Sequence, residues 1–203
     1  MSDRAYPFAL PLGTEISGYM IDKVIGAGGF GITYRGYNPV TGVTVAIKEF
    51  YPQGFASRDR NTVILHSDVS SGSYETALKK FEQEAAKLTG RYRHPHIVRG
   101  LNFLRMHNTA YFVMDFVSGR SFDQYLLERS TPPSEAELRS IFDRVFDAVE
   151  YIHDQNGMHR DLTPRNIMIS DEGDPVLVDF GAAGEGLDTD RSNSTAFAQP
   201  NYA

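Results

Sequence analysis

The sequence predicts an α+β fold in which a small antiparallel sheet carrying one helix is followed by a mainly helical half. Three observations lead there. Between residues 19 and 113, short β-branched and aromatic runs are separated by Gly, Asn and Pro turns, the pattern of strands joined by tight connections. Within that stretch, residues 75–88 change to a helical period, with Ala77, Phe81, Glu84 and Leu88 recurring on one stripe. Beyond Ser118 and Gly119, Ser134 is followed three residues later by Glu137 and then by a long amphipathic run, so a capping box opens a helix there.

Taken in order, residues 1–15 read as an N-terminal leader. An acidic and a basic residue come early and the apolar patch at 8–12 is broken by Pro11, which excludes a secretory signal. Asn38, Pro39, Thr41 and Gly42 make a turn before Val43, Val45 and Ile47, a strand run that ends at Lys48. Residues 49–74, with Pro52, Gly54, Arg58, Asp59, Arg60 and a short Thr62–Leu65 apolar run, read as an inserted loop or hairpin to which no chemistry is assigned. The helix after it carries Glu84 on its buried edge. In the long helix, Leu138, Ile141, Phe142, Val145, Phe146, Val149 and Ile152 make a wide stripe that Asn156 and Gly157 end; its adjacent apolar pairs call for cover on more than one side. Runs at 167–169 and 176–178 flank an Asp171, Glu172, Gly173, Asp174, Pro175 turn, the mark of a short hairpin.

With 203 residues and 41% apolar composition, the chain can bury a core as one domain or as two small lobes sharing a cleft. A net charge of −6 with scattered basic residues argues against nucleic acid or an anionic membrane as partner. The absence of cysteine excludes disulfides, thiolate nucleophiles and zinc-thiolate sites. No apolar run reaches the roughly 18 residues of a membrane span, and a cytoplasmic location is expected.

Chemistry enters with Gly26, Ala27, Gly28, Gly29, Phe30 and Gly31, a GxGxxG match whose glycines let backbone amides approach phosphate oxygens. Alone, such a match is more often a glycine-rich turn with no ligand. The dinucleotide-binding version needs a helix at the third glycine, whereas Ile32, Thr33 and Tyr34 look like a second strand. Lys48 lies seventeen residues past Gly31 and ends Val45, Ala46, Ile47, Lys48, a VAIK match in which a strand lysine contacts phosphates and pairs with a helix glutamate. Glu84 is the glutamate on offer. His159, Arg160, Asp161, Leu162, Thr163, Pro164, Arg165, Asn166 and then Asp179, Phe180, Gly181 match HRDLxxxN and DFG. Phosphoryl transfer needs a carboxylate near the acceptor hydroxyl and hard oxygen ligands for magnesium; Asp161 suits the first role, Asn166 and Asp179 the second. Turn-capping Asp and Asn residues around a hairpin explain any one of these but not both motifs in this order.

On these motifs the chain resembles a protein kinase catalytic domain of the eukaryotic-type Ser/Thr class found in bacteria, from about Ile16 to its end. The resemblance implies a two-lobe fold: an antiparallel N-lobe sheet with one regulatory helix over 16–114, and a mainly helical C-lobe over 115–203 that is incomplete, with an activation segment at 179–203. It implies ATP and Mg²⁺ as cofactors and protein substrates. Residues 111–117 resemble the strand and hinge between lobes, with Met114 as gatekeeper and backbone groups of Asp115 and Val117 facing adenine; Ile25, Thr33, Ala46 and Met168 would sandwich the base. His94, Pro95, His96, Ile97 and Val98 resemble the HPNIV element after the regulatory helix. Arg160 implies regulation by phosphate on Thr189, Ser192, Ser194 or Thr195.

Two departures accompany the resemblance. Thr163 stands where Ser/Thr kinases usually carry Lys, and Gln199 aligns with their partner Thr, so the catalytic loop leaves Ser/Thr against Tyr open while the bacterial likeness favours Ser/Thr. The likeness stops before the APE motif, so the chain is expected to be a fragment whose long helix is partly uncovered and prone to self-association. Two other readings are a nucleotide-binding pseudokinase or inactive fragment, and a small-molecule phosphotransferase of related fold. The intact HRD and DFG motifs favour a protein kinase over both.

Overall fold

The computed structural model describes residues 6–180. Thr189, Ser192, Ser194, Thr195, Gln199 and all but the first two residues of the segment 179–203 lie outside the described residues. The first sheet comprises β1 (Glu15–Ile16), β2 (Tyr19–Gly28), β3 (Gly31–Tyr37), β4 (Thr44–Phe50), β7 (Gly100–Met106) and β8 (Thr109–Asp115), ordered β1-β2-β3-β4-β8-β7. Every pairing is antiparallel. The strand carrying Lys48 does not end there: it runs on through Phe50, because Glu49 and Phe50 are themselves buried and paired to Tyr111 and Gly31.

Alternation along β4 gives the sheet two buried faces. Ala46 and Phe50, with Phe112 and Met114 of β8, pack against helix α1 (Ser71–Gly90) through Tyr74, Ala77, Phe81, Ala85 and Leu88. Val45 and Ile47, with Tyr111 and Val113, face outward. That outer face is covered by Leu10 of the N-terminal segment and by a two-stranded hairpin, β5 (Ala56–Asp59) and β6 (Thr62–Leu65), within the 49–74 stretch. Helix α1 begins four residues before the 75–88 periodicity, since Ser71 to Tyr74 add a first turn whose only buried side chain is Tyr74.

The second half holds β9 (Gly119–Ser121), α2 (Phe122–Leu127), α3 (Glu135–Asp154), a 3-10 turn (Pro164–Asn166), β10 (Ile167–Ser170) and β11 (Pro175–Leu177). Ser134 accepts from the Glu137 amide while the Glu137 side chain accepts from the Ser134 amide, so the capping box that the sequence predicts starts α3. One stripe of α3, Ile141, Val145, Ala148 and Ile152, is buried. Phe142 is half-covered and Phe146 stays 61% exposed, so the adjacent pairs of the wide stripe are covered on one side only.

The two halves share a core that runs from α1 and the inner sheet face to α3, β10 and β11. The 94–98 segment stitches them. The Leu177 amide donates to the His96 carbonyl and the Val98 amide to the Leu177 carbonyl, both at 2.9 Å, while Ile97 bridges Leu177 in parallel. This fixes β11, and hence the residues after it, against the end of α1. Among the described residues no helix is long and apolar enough to cross a membrane.

Candidate active site

Between the halves, the strand lysine meets the carboxylates of the second half. Lys48 Nζ lies 2.6 Å from Asp179 Oδ1, the lysine side chain 17% exposed and the aspartate 39%. Burial acts to lower the Lys48 pKa, but Asp179, Glu84 and Asp161 together outweigh it and hold the ammonium above its ordinary 10.5. Glu84 lies on the buried face of α1 at 8% exposure, as the helix periodicity predicts, and acts electrostatically on the lysine, while Asp179 makes a direct ion pair with it.

The loop at 159–166 is fixed by its own hydrogen bonds. Asn166 Nδ2 donates to Asp161 Oδ2 at 2.8 Å and to the Asp161 carbonyl at 2.9 Å. This orients the Asp161 carboxylate and turns the side-chain Oδ1 of Asn166 away from it. The Val178 amide donates to the Asn166 carbonyl at 2.9 Å, tying the loop to the strand that delivers Asp179. Both Arg160 and Asp179 adopt left-handed backbone, with φ of 66° and 56°, a conformation non-glycine residues hold only where their surroundings impose it. The residue after Asp179 is firmly anchored. Phe180 is buried between the His159 ring, 4.4 Å centroid to centroid, and the Tyr92 ring at 5.7 Å. His159 donates from Nε2 to the Val178 carbonyl at 3.2 Å, and burial pushes its pKa down.

The glycines of the β2–β3 turn separate into two kinds. A Cβ on Gly31 would sit 2.8 Å from the Glu49 backbone carbonyl, so that glycine is required by the close approach of β3 to β4. Gly26, Gly28 and Gly29 have no protein atom within 4 Å of such a Cβ, and none has positive φ. Neither packing nor conformation requires them. The turn is held from behind: the Tyr51 amide donates to the Phe30 carbonyl at 3.1 Å and the Gln53 amide to the Gly29 carbonyl at 2.8 Å.

Ala46 and Met114, both buried, are partners across β4 and β8, and Thr33 lies opposite Lys48. Ile25 is exposed on β2 and Met168 lies on β10. The Asp115 amide donates to the Arg99 carbonyl at 3.0 Å, so that amide is already engaged within the fold. Sequence reasoning missed a polar group behind this site. Glu49 is fully buried on the outer sheet face, where it accepts from Tyr34 Oη at 2.6 Å, Tyr111 Oη at 3.0 Å and Arg58 Nη2 at 2.7 Å. The alternation Val45, Ile47, Glu49 carried that signal, since it puts a carboxylate on an apolar face.

Fold and site together define the protein kinase fold. The protein kinase domain model matches residues 19–203, and the chain belongs to that family. The carbon catabolite-derepressing protein kinase of Saccharomyces cerevisiae is 30% identical over 192 residues, 94% of this chain and 27% of its own length. The mitogen-activated protein kinase kinase kinase ANP1 of Arabidopsis thaliana is 32% identical over 79% of this chain and 22% of its own. The chain thus spans about a quarter of these curated relatives. Among solved structures, the apo form of PpkA-294 superposes with a TM-score of 0.83 at 33% identity, covering 89% of this chain and 64% of that one. The PknI kinase domain of Mycobacterium tuberculosis shares the fold, with a TM-score of 0.65 at 22% identity over 89% of this chain and 62% of its own.

Proposed function

We propose that this chain transfers the γ-phosphoryl group of ATP to Ser or Thr hydroxyls of proteins, with residues 16–114 and 115–203 as the two lobes about the cleft. The observation that carries the reading is the convergence of Lys48, Glu84, Asp161, Asn166 and Asp179 from four separate segments, with the ammonium drawn on by three carboxylates. Such an excess of negative charge suits a site meant to receive a cation along with phosphates. The oxygens of Asn166 and Asp179 fit magnesium, a hard ion that keeps most of its ligands from phosphate and water. Bound there, the metal would neutralise charge on the phosphates during transfer.

The protein's own contributions follow from the geometry. Lys48, kept protonated, would hold the α- and β-phosphates, and the backbone of the turn at Gly26, Gly28 and Gly29, with no side chain in the way, would cover them. Asp161, held by Asn166 Nδ2, would accept the proton of the acceptor hydroxyl. Ala46, Met114, Ile25, Thr33 and Met168 would enclose the base, with backbone groups of Asp115 and Val117 at its edge. Arg160 would answer phosphorylation of the activation segment, and the exposed Phe146 face of α3 would support self-association.

Calorimetric titration with ATP and magnesium, run beside a phosphate-incorporation assay on a generic protein acceptor, tests the reading. Binding with incorporation at Ser or Thr, abolished in Asp161→Asn while binding persists, is the expected result. Binding without incorporation would replace catalysis by nucleotide sensing, and incorporation into an aminoglycoside or choline but not protein would overturn the substrate class.

A further inference from the structure

We infer that Arg58 and Glu49 form a positioning node that holds the glycine-rich turn and the N-terminal end of α1 in register with Lys48. The consequence for phosphoryl transfer rests on the function proposed above; the mechanical coupling stands apart from it.

The node starts from the guanidinium of Arg58, in the hairpin to which the sequence assigns no chemistry. Its three nitrogens reach three different segments: Nε donates to the Phe8 carbonyl at 2.6 Å, Nη1 to the Asn61 carbonyl at 3.1 Å, and Nη2 to Glu49 Oε2 at 2.7 Å. A planar fork of fixed donors is what such a junction requires, and a lysine, whose three donors all sit on one nitrogen, could not span it. Tyr34 extends the node, since its hydroxyl donates to Glu49 Oε2 at 2.6 Å and accepts from the Leu10 amide at 3.0 Å. The N-terminal segment, the hairpin and the sheet therefore meet on one carboxylate, adjacent in sequence to Lys48.

From there two routes lead to the site. The first passes through Tyr51, which lies under the Arg58 guanidinium at 4.9 Å, stacks on Phe8 at 5.8 Å, and holds the Phe30 carbonyl through its own amide. With the Gln53 amide on the Gly29 carbonyl, this fixes the tip of the glycine-rich turn. The second passes through Tyr111. Its hydroxyl donates to Glu49 Oε1 and so must accept from His107 Nδ1 at 3.0 Å. The turn at His107 and Asn108 then gathers both the hairpin and the helix: Val63 donates to the His107 carbonyl at 2.9 Å, Asn108 Nδ2 to the Val63 carbonyl at 2.9 Å, and Tyr74 Oη of α1 to the Asn108 carbonyl at 2.7 Å. Helix α1 is thus tethered ten residues ahead of Glu84 to the same carboxylate.

Hydrogen–deuterium exchange on the unliganded chain tests the coupling whether or not the chain transfers phosphate. In Arg58→Met, amides at 28–33 and 71–78 should exchange at least about tenfold faster while α3 is unchanged. Arg58→Lys, which keeps the charge and loses the fork, should show the same pattern more weakly, and it keeps the test decisive if Arg58→Met fails to fold. Acceleration confined to 6–12 and 56–65, or spread evenly over the whole chain, would mean a purely structural anchor and overturn the inference. In the kinase assay at a temperature where both proteins are folded, Arg58→Lys should lose roughly ten- to a hundredfold in kcat from misplaced groups, and a fully retained kcat would overturn the inference as well. A wild-type chain that neither binds nor transfers would refute the proposed function alone and leave the exchange pattern to decide the node.

Discussion

Replacing Lys48 by Met removes the cation on which the cleft's carboxylates converge, and its cost can be worked from the geometry. The Lys48–Asp179 pair is close, at 2.6 Å, but Asp179 is 39% exposed, so solvent screening reduces its share to about 1 kcal/mol. Glu84 is 8% exposed and loses a cation that helps to offset its burial, a loss of roughly 2–3 kcal/mol for a carboxylate hidden from solvent. Relief of the lysine's own desolvation, the largest single influence on its pKa, returns about 2 kcal/mol. The net is a destabilisation of about 1–2 kcal/mol, or roughly 2–8 °C in Tm for a chain of this size. The raised pKa of Lys48 fixes the pH dependence. Its contribution is fully present below the unfolded value of 10.5 and is lost only as pH climbs through the higher folded value, so the deficit should be flat across neutral pH. Thermal melts of wild type, Lys48→Met and Lys48→Met/Asp179→Asn, the last expected to recover part of the loss, make the measurement. A Lys48→Met chain that melts with wild type would refute the account of the cleft as a carboxylate cluster held by one ammonium.

The glycines should separate by role: Gly28→Ala should leave Tm unchanged and weaken MgATP binding, whereas Gly31→Ala should cost about 1–3 kcal/mol by pressing a methyl on the Glu49 carbonyl, as melts and calorimetry would show. Phe146→Glu should lower the weight-average mass seen by light scattering at high concentration, because it places a charge on the exposed end of the α3 stripe. Burial pushes the His107 pKa below its ordinary 6.5, so the unfolded chain takes up that proton first and stability should fall as pH drops below 6.5. His107→Asn, which tolerates the left-handed backbone at φ 56°, should flatten that slope in denaturant titrations, His159 supplying what remains.

The sequence carried the parts of the site whose chemistry needs a residue type at a fixed spacing. Lys48, Asp161, Asn166 and Asp179 were legible because backbone order alone places them, and Glu84 because helix periodicity put a carboxylate on a buried stripe. The hairpin at 56–65 was legible only as punctuation, since nothing local says that Arg58 will cross to a strand nine residues back. The cover of the outer sheet face was hidden for a related reason. Leu10, Ile16 and Ala56 look like scattered apolar residues until tertiary packing brings them onto Val45, Ile47 and Val113. The end of β4 was misjudged because a charged residue at the close of an apolar run usually marks a strand's exit to water, whereas here Glu49 is enclosed by two tyrosines and an arginine.

Lys48 and Glu49 stand side by side on one strand and point to opposite faces of a sheet that is covered on both. A slip of β4 by one residue would turn each to the wrong face. In one direction the carboxylate would face Glu84, Asp161 and Asp179, and in the other the ammonium would meet the guanidinium of Arg58. Either error is repulsive. The neighbouring opposite charges therefore act as a parity check on strand pairing during folding: the chain can close its cleft only in the alignment that also delivers the lysine to it.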